Sequence, residues 1–233
     1  MTCPLAAVPH HPPPPPPDYA PPADDGLAVL AADDALLAVD KPAELLTVPG
    51  RGAHLQDCLL HRVQARHPQA RLVHRLDQPT SGIVVFGLGP DAQRALAAAF
   101  ERRQVDKRYV ALVAGRLSPD AGEIDLPLAC DWPNRPRHVV DRAHGRPALT
   151  RWRVLGVDAQ RGATRVELQP LTGRTHQLRV HLQALGHPIL GDRLYADAAG
   201  RAAAPRLMLH AARLELPHPV DGRQVVVESP VPF

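Results

Sequence analysis

The order in which two hydrophobic periods follow each other along this chain excludes most architectures. Arg108–Ala114 (RYVALVA) alternates like a strand, and Thr164, Val166 and Leu168 share one face of a second such run. That spacing belongs to half-buried strands. Ile83–Leu88 (IVVFGL) is nearly continuous in apolar residues, which predicts a strand covered on both faces. LAVLAADDALLAVDKP, from Leu27 to Pro42, reads as two short strands around an Asp33-Asp34 turn, and late strands are expected at 207–216 and 223–228. The helical period is scarcer. It occurs in 54–66, where Leu55, Leu59 and Val63 form a stripe, and in Asp91–Gln104, which is rich in helix formers. It occurs again after Thr175, which can cap a helix carrying Leu178, Leu182 and Leu185 and closed by Gly186. Many strands, few helices and no regular βαβα alternation predict an α+β fold with a mixed, largely antiparallel sheet.

Residues 1–26 do not belong to that pattern. HHPPPPPPDYAPPADDG contains a proline run that buries no core and favours an extended conformation, so 1–26 is expected to be a disordered, acidic tail, with a single domain over 27–233. No stretch of 18 apolar residues and no basic-then-apolar start is present, so neither a membrane span nor a secretory signal is expected. The three cysteines form no CxxC pair, against a zinc knuckle or a disulfide framework, and a cytoplasmic location fits best.

Charge is unevenly placed. Residues 1–40 hold six Asp and no Lys or Arg, so the rest of the chain carries a surplus of about +9 against a net charge of +3. Between Cys130 and His181 lie ten Arg and four acids. Such a region suits a polyanion, of which nucleic acid is the commonest, although Arg outnumbers Lys 25 to 2 and the excess could be compositional.

Several chemistries are excluded by their motifs. HRLD in Leu72–Gly82 (LVHRLDQPTSG) is not the kinase catalytic loop, because Leu76 separates Arg75 from Asp77 and position 82 is Gly. There is no GxGxxG, no GxSxG and no HExxH. His176 and His181 are five apart, roughly 140° around a helix, and cannot share a metal-ligand face. No metal site is expected. Three residues stand out singly: Asp77 before a strand, as a turn acid or a reactive carboxylate; Arg174 beside Gly173 at the start of a helix, where anions gather; and Tyr109 opening an apolar strand, as packing or as a platform for a base.

HRLDQPTSG, KRYVALVAG, LTGRTHQLRVH, GHPILGDRLYA and LMLHAARLELPHP occur in this order, and the series closely resembles the RluA-type pseudouridine synthases over about Leu27 to Phe233. LLTVPG, HPQARLVHRLD and LPLACDWPNRP point to the short, dual-specificity subgroup. The resemblance implies a pseudouridine synthase fold without a separate N-terminal RNA-binding domain, and an isomerase that requires no cofactor and acts on a 23S rRNA loop and a tRNA anticodon stem-loop; nothing in the chain suggests an obligate assembly, so a monomer is expected. It implies Asp77 as the catalytic carboxylate, Arg174 as the cation that orients it, and Tyr109 as the ring stacked on the uracil. Arg75 would fill the space left by a flipped nucleotide, and Gln177 and Arg179 would contact RNA or support Arg174. The rival expectation is an RNA-binding or RNA-folding module whose catalysis is secondary.

Overall fold

A computed structural model describes residues 19–233. Its centre is a ten-stranded sheet with backbone order β1-β2-β4-β11-β5-β10-β9-β6, with β3 beside β4 and β12 beside β11. The first block contains β1 (Ala28–Ala32), β2 (Leu36–Lys41), β3 (Ala70–Leu72) and β4 (Ser81–Leu88). The second contains β5 (Asp106–Ala114), β6 (Ala121–Asp125), β9 (Leu149–Asp158) and β10 (Ala163–Pro170). β11 (Leu209–Pro217) joins the blocks and is extended at its side by β12 (Gln224–Glu228). Every pairing is antiparallel except β4 with β11, so the mixed, mostly antiparallel α+β architecture is present. A separate hairpin pairs β7 (Leu128–Cys130) with β8 (His138–Val140).

β4 is continuous in apolar residues because helices cover both its faces. Ile83 and Val85 pack with Leu96 and Ala99 of α2 (Pro90–Glu101), while Val84 and Phe86 pack with Leu59 and Val63 of α1 (Leu59–Arg66). Fully burying a leucine such as Leu96 contributes about 1.5–3 kcal/mol. The second block packs Val166 and Leu168 against Leu178 and Leu182 of α3 (Gln177–Ala184). A short α4 (Ala198–Ala202) is capped by the Asp197 carboxylate, which accepts from Gly200 N.

Local expectations differ from the structure in four places. The helix expected over 54–66 is a 3-10 turn at Ala53–Leu55, a break, and then α1, so Leu55 leaves the stripe. Thr175 does not cap α3; His176 takes the N-cap position in the left-handed region, and the Gln177 carboxamide accepts from Arg174 N at 3.0 Å. Leu185 lies beyond the end of α3 and is exposed. Residues 1–18 of the expected tail lie outside the described residues, but 19–26 dock on α1 rather than run free. Tyr19 OH donates to Asp57 O and accepts from Leu46 N, and Arg62 donates to the carbonyls of Pro22 and Ala23. Those anchors sit 26 or more residues from Tyr19 in sequence, so local composition carries no trace of them.

Candidate active site

Asp77 sits on the loop between β3 and β4, and the residues on either side of it are held by side chains from elsewhere. Thr47 Oγ1 donates to Leu76 O at 2.7 Å and accepts from Leu76 N at 3.2 Å. Lys41, wholly buried, donates its ammonium protons to the carbonyls of Leu45, Gln78 and Pro42 at 2.7–3.0 Å. Burial pushes this ammonium down to about 7, against the opposing pull of Asp77 and Glu44. The turn itself is closed by backbone, Thr80 N donating to Asp77 O at 3.1 Å. The Asp77 carboxylate takes no part in that turn. It lines an open cavity of about 850 Å³, and its side chain is 27% exposed there. The carboxylate is therefore free of the turn and open to the cavity.

The cation facing Asp77 is Arg179. Its Nη1 lies 3.4 Å from Asp77 Oδ2, while Nε and Nη2 grip both oxygens of Asp192 at 2.7 Å. Arg179 is 3% and Asp192 0% exposed, and Asp192 also accepts from Leu194 N and Tyr195 N. A guanidinium locked by one buried carboxylate presents its remaining edge in a fixed direction, which a free surface arginine does not.

The two arginines of LTGRTHQLRVH thus exchange their expected positions. Arg174 makes no ion pair with Asp77; its Nε donates to Pro147 O at 3.0 Å. Burial, then the cations Arg146 and Arg103, pushes its proton affinity down, marking a crowded positive rim. Arg179, expected at RNA, is buried. Gln177 is buried too, and its amide is consumed internally: it accepts from Thr172 Oγ1 and Arg174 N and donates to Leu149 O and Thr150 Oγ1. The reason is position along the chain: Gln177 through Leu182 are buried on every side of α3, while Arg174 precedes the helix at the cavity rim.

Tyr109, on β5, lines the cavity opposite the Asp77 loop. Burial first, and the Asp77 charge second, push its phenol up, so it is a neutral O–H at physiological pH. His176 completes the wall, with Nε2 3.8 Å from Asp77 Oδ2. Tyr195 OH accepts from His138 N at 2.7 Å and contacts His176 Nδ1 at 2.7 Å. With the Tyr195 proton given to Nδ1, Nε2–H faces Asp77. Burial lowers His176 to about 4, so the ring is neutral. Arg75 and Arg103 are exposed at the mouth, and Lys107 and Arg174 line it half-buried.

His176, Asp192, Thr47 and Lys41 escaped the sequence reasoning. Asp192 and His176 lie within quoted motifs, GHPILGDRLYA and LTGRTHQLRVH, but no spacing rule joins Asp192 to Arg179 thirteen residues away.

The family model of RNA pseudouridylate synthase matches residues 35–184. Over 215 residues the chain is 49% identical to the dual-specificity RNA pseudouridine synthase RluA of Escherichia coli (strain K12), spanning 92% of this chain and 98% of that protein. The RluA of Pasteurella multocida (strain Pm70) is 44% identical over the same length. Among solved structures, Human RNA Pseudouridylate Synthase Domain Containing 1 superposes with a TM-score of 0.76 at 32% identity, over 92% of this chain and 87% of that one.

Proposed function

The chain belongs to the RNA pseudouridylate synthase family, an isomerase family, and from that premise we propose that its cavity converts uridine to pseudouridine with Asp77, Tyr109 and Arg179 as the working set. The observation that carries the assignment is the Asp77 carboxylate, excluded from its own turn and faced by a locked guanidinium in a cavity wide enough for a nucleoside.

The reaction breaks the bond between N1 of uracil and the sugar, turns the base, and bonds carbon 5 to the same sugar carbon. A proton leaves carbon 5 and one ends on N1, so atoms and electrons balance within the substrate and water. Asp77 acts at the sugar, as nucleophile or general base. Arg179 holds that carboxylate in place, and Asp192 holds Arg179. Tyr109 supplies a neutral ring on which the detached base stays flat while it turns.

The target base must leave its stack, at a cost of a few kcal/mol that is least in a strained loop. Arg75, at the mouth, enters the space it leaves. Arg103, Lys107 and Arg174 contact phosphate, and Trp132, 66% exposed beneath the Arg135 guanidinium, offers a further flat surface. The chain acts as a monomer through a single domain over 27–233, on a 23S rRNA loop and a tRNA anticodon stem-loop. Among the described residues no helix is long and apolar enough to cross a membrane.

Tritium release from carbon 5 of uracil tests the assignment. Asp77→Asn is expected to bind RNA like the wild type and to release none. Normal turnover by that variant would remove Asp77 from the reaction, and a wild-type protein that releases tritium from neither RNA class would remove the function.

A further inference from the structure

The backbone ladder of the sheet joins two blocks at one narrow place, beside an apolar cluster that Leu214, Leu216 and Val227 share with Ile83 and Val85, and the candidate site straddles it. β4 and β11 run parallel and meet over two residue pairs, His210 with Ser81 and Ala211 with Gly82. On its other side β11 pairs with β5, placing Ala211 opposite Tyr109. One rung across three strands therefore carries Gly82, Ala211 and Tyr109. Asp77 hangs from the first block, four residues before Ser81. Tyr109 and Arg179 belong to the second. The separation between the carboxylate and its two working partners is inherited from this joint.

Two parallel pairs are a thin connection, because a short ladder leaves sliding and shearing weakly opposed. Directly beyond them β11 exchanges β4 for β12 as its neighbour, with Ser229 N donating to Ala212 O at 2.9 Å. A buried row of side chains crosses this spot. Ser229 Oγ donates to Asp40 Oδ2 at 2.9 Å. Its single proton is then spent, so it accepts from His210 Nε2–H at 3.0 Å. His210 Nδ1 is left as an acceptor for Ser81 Oγ–H at 2.9 Å, and Ser81 Oγ receives Arg206 Nη1–H at 2.8 Å. With His210 neutral, the four hydrogen bonds of the row run in one direction, from a guanidinium to a carboxylate, while Arg206 Nη2 is buried without a partner. His210 is 1%, Ser81 4% and Ser229 5% exposed. Backbone approach is as close as a glycine allows: Gly82 has φ +114°, and a Cβ there would stand 2.4 Å from Ala211 O.

We propose that Ser81 and His210 are positioning residues for the isomerisation. The row Arg206–Ser81–His210–Ser229–Asp40 rivets the two sheet blocks in one register and so sets where Asp77 stands relative to Tyr109 and Arg179. Neither residue touches the reacting atoms; both act through the β4 end of the Asp77 loop. The inference rests on the pseudouridine synthase assignment. A purely stabilising network would lower the melting temperature and leave the turnover of the folded protein alone. A rivet also slows turnover while leaving RNA binding intact, because a misplacement of about 1 Å costs up to roughly a hundredfold in rate.

The experiment uses the full chain with a uridine-containing stem-loop RNA, measuring RNA affinity and the single-turnover rate at saturating RNA by tritium release. Ser81→Ala removes one hydroxyl and is expected to slow the step at least about tenfold, with affinity within about twofold of wild type. Ser229→Ala breaks the same row on the far side of His210, away from the Asp77 loop, and is expected to slow it in the same sense. The double variant is expected to be no slower than the worse single one, since either cut opens the row. Unchanged rates in both folded single variants, whatever their melting temperatures, overturn the inference. So does loss of RNA affinity in proportion to rate. A wild-type protein without tritium release sinks the underlying assignment instead, which is a separate result.

Discussion

Replacing Arg179 and Arg174 one at a time separates two arginines that look equivalent in LTGRTHQLRVH. Arg179 is 3% exposed and binds both oxygens of the fully buried Asp192 at 2.7 Å. Arg179→Met leaves Asp192 buried without its cation, a change that costs about 3–5 kcal/mol. In a protein of this size each kcal/mol lowers the melting temperature by about 2–4 °C, so a fall of roughly 6–20 °C is expected. Arg174→Ala removes a half-exposed side chain whose hydrogen bond is to Pro147 O, and is expected to change stability by no more than about 0.5 kcal/mol. Its effect belongs to RNA binding, where loss of one phosphate contact lowers the salt dependence of affinity by about one in log-log slope. Adding Asp192→Asn to Arg179→Met removes the orphaned charge. The double variant should recover much of the melting temperature but not turnover, because Asp77 still lacks its cation. Differential scanning calorimetry and tritium release read the two effects independently. Arg179→Met melting within about 2 °C of wild type, or restored turnover in the double variant, would refute the role of the buried pair.

Tyr109 is expected to serve mainly as a ring. Tyr109→Ala should weaken the hold on the target uridine by about 1–3 kcal/mol, measured as affinity for a stem-loop against one with an abasic target, whereas Tyr109→Phe should keep most of it. Equal losses in both variants would assign the work to the hydroxyl instead. Acid should destabilise the fold before carboxylates titrate. Burial holds His74 at about 3 and His176 at about 4, below the histidine value of about 6.5 in an unfolded chain. Their contribution is complete above pH ~6.5 and is lost as pH falls, down to about 4 for His176 and about 3 for His74, because the unfolded chain takes up protons the folded one refuses. Near pH 5 the two together give a slope on the order of 2–3 kcal/mol per pH unit, checked by urea denaturation across pH 4.5–7.5. A flat stability curve between pH 7 and 5 would show that these rings charge in the folded protein.

What could be read from the sequence alone followed from contacts that are local or periodic. The α+β class, both strands around Asp33-Asp34 and the two late strands rest on period and turn chemistry, which neighbouring residues decide. The Asp33 carboxylate does accept from Ala35 N and Leu36 N, as a turn acid should. The apolar Ile83–Leu88 stretch of β4 was legible for the same reason, since a strand covered on both faces can keep no polar alternation. β9, ten residues long, was missed, because Leu155 and Val157 are exposed and its polar face is rich in arginine. Family motifs singled out Asp77 and Tyr109, which line one cavity. Tertiary structure alone decided which arginine meets the carboxylate, since Arg179 is held there by Asp192 across a fold that brings distant loops together. It alone docked Tyr19 between Leu46 and Asp57 and threaded Arg206, Ser81, His210, Ser229 and Asp40 into one row. Ion pairs and hydrogen bonds depend on distances of a few ångströms in space, and chain order does not encode those distances until the sheet has closed.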